Sequence, residues 1–208
     1  MNPLLQEKWP TAFSYEKYLS MIDRLLADRQ TTGSDQSEAL IGYTQLNRQR
    51  MRRLGKSLRL LPEVGRQLQS LRRRYEWLVI TEAWCGDAAQ NLPYIHAMAE
   101  TSERIQLKLV LREEHPELMA AYLTEGTCSV PKLICLDAES REVLGTWGPR
   151  PAEIQLMYLR YRAHPYLSLP EFMKKIHLWY SQNQGQSLQQ EFLERMAQWE
   201  APKSQGEA

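Results

Sequence analysis

One stretch of the sequence, from Leu78 to Pro93, restricts the possible folds of this chain more than any other. It opens with the apolar run 78–80, which is typical of a buried strand, and continues after Cys85 into a helical pattern. A cysteine therefore lies where a strand gives way to a helix. The first N–H groups of a helix and its macrodipole stabilise negative charge, so they favour a thiolate over a thiol. This position predicts that Cys85 is a nucleophile.

Around this cysteine the sequence reads Trp84-Cys85-Gly86-Asp87-Ala88, and Pro93 follows Cys85 by eight residues. This motif resembles the start of the active-site helix in the thioredoxin superfamily, where Trp-Cys-Gly-x-Cys precedes a helix kinked by proline. A second motif reads Ser129-Val130-Pro131 and precedes an apolar run at 132–136. It resembles the cis-proline loop of that superfamily, which lies beside the reactive cysteine and presents its backbone to an extended substrate.

The resemblance covers residues 71–165 and implies an α/β fold, the thioredoxin-like three-layer fold with a mixed four-stranded sheet. It also implies a cis peptide bond before Pro131, although an ordinary strand-edge proline is the alternative. A cis bond there would hold the preceding backbone open for hydrogen bonds with an extended peptide or with the peptide backbone of a small thiol.

Two positions depart from the superfamily pattern. Ala88 stands where the second cysteine of the Cys-x-x-Cys pair would be, so the usual dithiol cycle is not available between these positions. Val79 stands six residues before Cys85, where members of the superfamily often carry a buried acid that takes up a proton. Proton relay by that route is therefore not expected.

We expect three regions in the chain: an N-terminal helical extension at 1–70, the thioredoxin-like domain at 71–165, and a C-terminal helical extension at 166–208. Apolar side chains at helical spacing predict N-terminal helices from a Ser14 cap, over 37–54, and from 61 to about 74. Burying each large apolar side chain contributes about 1.5–3 kcal/mol, so these helices must dock on the domain. We expect them to extend one of its helix layers.

The rest of the pattern alternates between strands and helices. In chain order it predicts a strand at 77–81, a helix at 88–100, a strand at 105–111, a helix at 114–123, strands at 132–136 and 142–147, and helices at 152–162, from Pro170, and at 187–199. The first two strands should be parallel with a right-handed crossover, and the last two should form a hairpin. This order agrees with the minimal fold that the motifs imply.

Charge is concentrated in one region. The net charge of the chain is +1, yet residues 41–75 hold ten arginines and lysines and a single acid, Glu63. A basic stretch such as 48–59 can bind phosphates or nucleic acid, but it can also be a helix whose arginines pair with acids elsewhere. No aromatic residues are interleaved with the arginines, which argues against nucleic acid. We expect these arginines to face solvent or the mouth of the Cys85 groove.

The three cysteines, Cys85, Cys128 and Cys135, form no paired framework, and no Cys/His spacing matches a zinc site. We therefore expect a reducing compartment, no metal and no cofactor. The N-terminus lacks a signal-peptide pattern, and no apolar run reaches the length of a membrane span. The sequence thus predicts a cytoplasmic protein without a membrane partner.

Each residue that could carry chemistry also has an ordinary structural interpretation. Cys85 could be a packed, inert residue, and Asp87 could be a first-turn helix acid or a like charge that disfavours the thiolate. Cys128 precedes Pro131 by three residues, which makes it a candidate resolving thiol if its Cα lies within about 7 Å of that of Cys85. Cys135, in an apolar strand, is expected in the core.

Further residues are predicted to bind substrate because the resemblance places them around the groove. They are Trp84, Gly86, Asp87, Val130, Pro131, Gly148, Arg112 and Arg150. The two guanidiniums could bind a carboxylate, although both could equally be solvent-facing ion-pair partners.

Two functions follow from these residues. The first is a thioredoxin-like monothiol oxidoreductase that acts through Cys85 on disulfides or mixed disulfides, in thiol redox homeostasis, with a disulfide-bearing protein or a low-molecular-weight thiol as partner. The alternative is a redox-inactive thioredoxin-fold module that binds a protein or a thiol. Ala88 favours the module, whereas Trp84, Cys85 and Gly86 favour the enzyme.

Overall fold

The computed structural model describes residues 3–201 of the chain. Its strands are β1 (Tyr75–Thr81), β2 (Ile105–Leu111), β3 (Lys132–Asp137) and β4 (Val143–Trp147). Its helices are α1 (Pro3–Lys8), α2 (Tyr15–Ala27), α3 (Glu38–Ser57), α4 (Pro62–Gln69), α5 (Gly86–Glu100), α6 (Pro116–Ala121), α7 (Ala152–Ala163), α8 (Leu169–Asn183) and α9 (Gln186–Glu200). None of the helices within this described part is long and apolar enough to cross a lipid bilayer.

The four strands form one mixed sheet in the order β2-β1-β3-β4. β1 runs parallel to β2, with Tyr75 opposite Ile105, and antiparallel to β3, with Val79 opposite Leu133. β3 and β4 are antiparallel, as expected of the hairpin. Every residue of β1 is buried, which agrees with its apolar sequence and its central position. The predicted thioredoxin-like α/β fold is confirmed.

Several element boundaries differ from the predictions. β1 begins at Tyr75, two residues early, because the Tyr75 N–H already bonds to the Arg104 carbonyl. The helix predicted up to about Arg74 ends at Gln69, since the segment after it must reach the first position of β1. The helix predicted at 114–123 is shorter and begins at Pro116, where the missing N–H of proline costs nothing.

The N-terminal helices pack onto the domain, as predicted. α3 lies against α5, and α2 lies against both α3 and β2. Tyr18 and Ile22 of α2 and Met51 of α3 belong to the main core. The backbone of Phe13 exchanges two hydrogen bonds of 2.8 Å with Leu109, which covers part of the outer edge of β2.

The C-terminal helices form two different contacts. α9 packs Phe192 against Trp77 and Trp147, which extends the main core, and α9 also contacts α4 and β4. α7 and α8 bury a smaller, separate cluster in which the rings of Tyr161 and Phe172 stack at 3.8 Å. Residues 202–208, the end of the predicted C-terminal extension, lie outside the described part.

Candidate functional site

The sulfur of Cys85 lies between the start of α5 and the loop before β3. Cys85 is the N-cap of α5, and its Sγ accepts a hydrogen bond from the Ala88 N–H at 3.4 Å. Its thiol donates to the Val130 carbonyl at 3.1 Å. The peptide bond between Val130 and Pro131 is cis, as the resemblance implies. The structure therefore brings the two motifs together, with the residue 8% exposed.

The surroundings of Cys85 favour the thiol. Burial, followed by the negative charge of Asp87, raises the pKa of Cys85 to about 12, although the Ala88 N–H and Arg150 act in the opposite direction. These effects oppose the stabilisation of a thiolate that is expected at a helix start, and the nucleophilic role of Cys85 stays a prediction. The backbone N–H groups of Asp87 and Ala88 and the helix dipole compensate only in part for the loss of hydration around a buried charge.

Asp87 is the centre of a partly buried ion pair. Nη2 and Nε of Arg150 lie 2.6 and 2.8 Å from Oδ2 of Asp87, and the two side chains are 11% and 12% exposed. The hydroxyl of Tyr180, on α8, donates to Oδ1 of the same carboxylate at 2.9 Å. The Arg150 guanidinium also lies 4.1 Å from the centre of the Tyr158 ring. Arg150 is therefore already bound to an internal carboxylate.

Arg112 joins the end of β2 to the loop that contains Cys128. Its guanidinium lies 4.8 Å from the centre of the Trp84 ring and donates to the Cys128 carbonyl at 3.4 Å. It also pairs with Glu113 at 3.3 Å. Arg112 and Arg150 thus both lie at the Cys85 end of the sheet, as expected from the sequence, but each has an internal anion.

The two other cysteines differ in exposure. All three cysteines are free, Cys135 is fully buried and Cys128 is exposed. The predicted core position of Cys135 is confirmed. A resolving role for Cys128 stays a prediction.

Glycine is required at one position beside the site, Gly148, and another glycine, Gly86, lies next to α8. Gly148 has φ +111°, and a Cβ there would collide with the Pro131 carbonyl, so only glycine lets the end of β4 reach the cis-proline loop. At Gly86, a Cβ would lie 3.5 Å from the ring of His177 on α8. The helix from the C-terminal extension therefore covers one side of the motif.

A cavity of about 420 Å³ lies between the cis-proline loop and α7. Three guanidiniums line it, those of Arg112, Arg150 and Arg162, against a single carboxylate, Glu125. Cys128, Ser129 and Tyr158 also line this cavity. Its positive charge can attract a carboxylate. Of the residues predicted to bind substrate, Arg112 and Arg150 line this cavity and the others do not, so the substrate-binding role of the set stays a prediction.

The N-terminal extension also supports the site, through the loop after α2 and through α3, which the sequence did not predict. The Thr32 hydroxyl accepts from the Ala83 N–H at 2.9 Å, and the Asn47 amide donates to the Ala83 carbonyl at 3.0 Å. Their spacing in the sequence could have indicated this role, because Thr44 and Asn47 lie on the same helix face as Met51 and are buried with it. Polar residues on an apolar face are expected to have specific partners.

Glu82 is a second feature that the sequence prediction missed. It is fully buried, and its Oε1 accepts from the Glu113 N–H at 3.0 Å, whereas Oε2 has no hydrogen bond within the described residues. Burial raises the pKa of Glu82, against smaller opposing effects of Thr32 and the Glu113 N–H.

Known proteins share this architecture. A family model described as thioredoxin matches residues 33–164, which is more than half of the chain. No curated protein matches the chain. A crystal structure of an HIV epitope scaffold is 18% identical with a TM-score of 0.54, and the match covers 84% of this chain and 96% of the scaffold. A crystal structure of a protein of unknown function from Pseudomonas aeruginosa is 18% identical with a TM-score of 0.52, covering 89% of this chain and 96% of that protein. At such identities the likeness concerns the fold alone.

Proposed function

The chain belongs to the thioredoxin family, and from that premise we propose that it is a redox-inactive binding module of the family. It binds a carboxylate-bearing peptide or thiol in the cavity between the cis-proline loop and α7. The observation that carries this proposal is the state of Cys85, whose buried thiol donates to the Val130 carbonyl beside the Asp87 carboxylate.

A thiol in this state is a poor nucleophile. With its pKa raised to about 12 by burial and by Asp87, the thiol form of Cys85 is favoured over the thiolate at neutral pH. Ala88 offers no second sulfur to release a mixed disulfide. Both steps of a thiol–disulfide cycle therefore lack their usual support at this site.

Charge and backbone favour a carboxylate-bearing ligand in the neighbouring cavity. Arg162 is exposed, lines the cavity, and has no ion-pair partner among residues 3–201. A guanidinium of this kind binds a carboxylate through two parallel hydrogen bonds. Ser129, on the same wall, contributes backbone that an extended peptide can use. The three free cysteines fit a reducing compartment such as the cytoplasm.

A second candidate function is the monothiol oxidoreductase, which is favoured by the Ala88 N–H on the Cys85 sulfur. In that reaction the Cys85 thiolate attacks one sulfur of a partner's disulfide, and the partner's other sulfur leaves as a thiolate. A low-molecular-weight thiol then attacks the partner's sulfur in the mixed disulfide, so Cys85 leaves as a thiolate and the external thiol forms a new disulfide with the partner. If Cys128 attacks instead, it bonds to the Cys85 sulfur and releases the partner as a thiolate, and an external thiol must then reduce the Cys85–Cys128 disulfide.

The pH dependence of alkylation distinguishes the two functions. We expect iodoacetamide to modify Cys85 of the Cys128→Ser variant slowly up to pH 9, with a rate that still rises above pH 10. Exposed Cys128, measured in the Cys85→Ser variant, provides the matched reference. A Cys85 rate that reached its plateau near neutral pH would favour the oxidoreductase, as would mixed disulfides that accumulate on the wild type but not on Cys85→Ser in cell extract.

Binding can be tested with a ligand that cannot exchange. S-methylglutathione carries two carboxylates and a peptide backbone but no free thiol, so the module should bind it as well as it binds glutathione. We expect Arg162→Gln to weaken binding about tenfold in calorimetry, while Arg160→Gln, on the exposed side of the same helix, leaves it unchanged. Binding that required the free thiol would count against the module.

A further inference from the structure

The basic stretch of α3 borders a second cavity that the proposed function does not use. This cavity has a volume of about 690 Å³ and is lined by α2, α3, the loop after α3, and the second half of α5. Pro93 is the lining residue of α5 nearest to Cys85 in the sequence, and α5 rises by about 12 Å between the two. Cys85 is not among the residues that line this cavity.

The floor of the cavity is mainly apolar. The side chains that form it are those of Leu19, Met51, Leu58, Leu60, Pro93 and Ala97. At one side the rings of Tyr15 and His96 stack with their centres 4.3 Å apart. Cavities of about 300–1,000 Å³ with an apolar floor and a few charged groups are typical of small-molecule sites.

The rim of the cavity is basic. Arg48, Arg52 and Lys56 follow each other at intervals of four residues, so they lie on one face of α3, and Arg59 follows in the loop. Asp23 binds Arg48 through two hydrogen bonds of 2.7 Å. Across residues 3–201, no carboxylate lies within ion-pair distance of Arg52, Lys56 or Arg59. Arg59 donates only to the neighbouring Leu58 carbonyl, at 3.1 Å.

Like charges four residues apart destabilise a helix, so this rim carries an unfavourable charge pattern that an external anion would relieve. Among the described residues, the carboxylate that lines this cavity is that of exposed Glu100. Two further carboxylates nearby are already paired, that of Glu16, which lies 3.4 Å from His96, and that of Asp23, which binds Arg48. Three cations around one opening match an anion that carries more than one negative charge. A phosphate provides this charge and has several acceptor oxygens for guanidinium and ammonium groups.

We infer that this cavity binds a small phosphate ester, with the phosphate held by Arg52, Lys56 and Arg59 and the organic part lying on the apolar floor. A single phosphate ion would leave that floor exposed to water, so the organic part should contribute to affinity. The organic part can be aromatic, as in a nucleotide, or aliphatic, as in an alkyl phosphate, and the two sources are separated by experiment. The inference does not depend on the chemistry of Cys85.

The test measures binding to the full-length protein by calorimetry, with ADP, decyl phosphate and inorganic phosphate as probes. We expect ADP or decyl phosphate to bind at least about tenfold more tightly than inorganic phosphate, and the tighter probe to identify the type of organic part. The double variant Arg52→Gln/Lys56→Gln should weaken that binding by about tenfold or more, because it removes charge-assisted hydrogen bonds. Both side chains are exposed, and glutamine is a good helix former, so the fold should be retained.

The matched control is Arg53→Gln/Arg66→Gln, which removes the same charge from exposed positions outside this cavity. Arg53 borders a neighbouring cavity of about 350 Å³, so the control also reports binding there. The inference is overturned if neither organic phosphate binds, if inorganic phosphate binds equally well, or if the control variant loses as much affinity as the test variant.

Discussion

The two ends of α5 differ in how their charges are compensated. At the N-terminal end, Asp87 is bound by Arg150 and Tyr180, and the Cys85 thiol is bound by the Val130 carbonyl. At the C-terminal end, the cations at 52, 56 and 59 border a cavity and form no ion pair within residues 3–201, and the carboxylate that lines the cavity is that of exposed Glu100. At the end that carries the recognisable motif, most charged and polar groups thus have partners within the chain. At the other end, several cations are free to bind an external anion.

The part of the chain that identifies the family is therefore not the part with the most unpaired charge available for a ligand. A motif identifies the fold because it reflects how the strand and the helix are joined around Cys85. Ligand binding depends instead on groups that the folded chain leaves without partners, and on space beside them. The following changes test whether the two ends differ as the structure indicates.

The largest effect is expected from Arg150→Ala. It leaves the Asp87 carboxylate partly buried with Tyr180 as its main partner, and we expect it to reduce the free energy of unfolding by about 3 kcal/mol. Arg52→Ala at the other end should change it by less than about 0.5 kcal/mol. Urea unfolding of both variants gives the comparison, and equal losses would remove the contrast.

Asn47→Ala should have the next largest effect. It removes the amide that donates to the buried Ala83 carbonyl, and an unsatisfied buried acceptor costs about 1–3 kcal/mol. Gln49→Ala, at an exposed position of the same helix, provides the control. An Asn47→Ala protein as stable as this control in urea would show that α3 does not support the strand end before Cys85.

Glu82 is the exception at the N-terminal end of α5, because one of its carboxylate oxygens has no hydrogen bond within the described residues. We therefore expect the effect of Glu82 on the free energy of unfolding to depend on pH. Because burial raises its pKa, the folded chain binds this proton more tightly than the unfolded chain. The contribution of Glu82 to the free energy of unfolding is therefore most favourable below the pKa that Glu82 has in the unfolded chain. This contribution is lost as the pH rises through the higher pKa that Glu82 has in the folded chain. Glu82→Gln should therefore raise the unfolding free energy at pH 7 by about 1 kcal/mol and gain nothing at pH 3. A gain that was the same at both pH values would contradict the ionisation argument.

The smallest effect is expected from Lys56→Gln. This substitution removes the repulsion between Lys56 and Arg52 on the same helix face. The free energy of unfolding should therefore rise at low salt by a few tenths of a kcal/mol, which is about the effect of one like-charge pair in a helix. Because salt screens this repulsion, the gain should vanish at about 1 M salt. A loss of stability would instead show that Lys56 has a partner inside the protein.

The sequence predicted the fold well because the relevant signals are local. Apolar runs and helical spacing identified the four strands and most helices, and errors fell at their ends. The short helix α1 was not predicted at all. The cis bond before Pro131 followed from the resemblance and is present.

The site was predicted less completely. The sequence correctly associated Cys85 with the loop at Val130 and placed Arg112 and Arg150 at the same sheet edge. It did not indicate that Tyr180, 93 residues from Asp87, would bind that carboxylate. Nor did it show that Thr32 and Asn47 hold the backbone at Ala83, because hydrogen bonds between distant segments leave no periodic pattern.

The sequence by itself determined the order of strands and helices, the cysteine at a helix start and the absence of a second cysteine at Ala88. Only the tertiary structure decided the burial of Cys85, which raises its pKa, and the compensation of Asp87. The physical reason is that hydrophobic periodicity depends on neighbours along the chain, whereas a pKa depends on burial and on charges nearby in space. For Asp87, the decisive cation is Arg150, which lies 63 residues away along the chain.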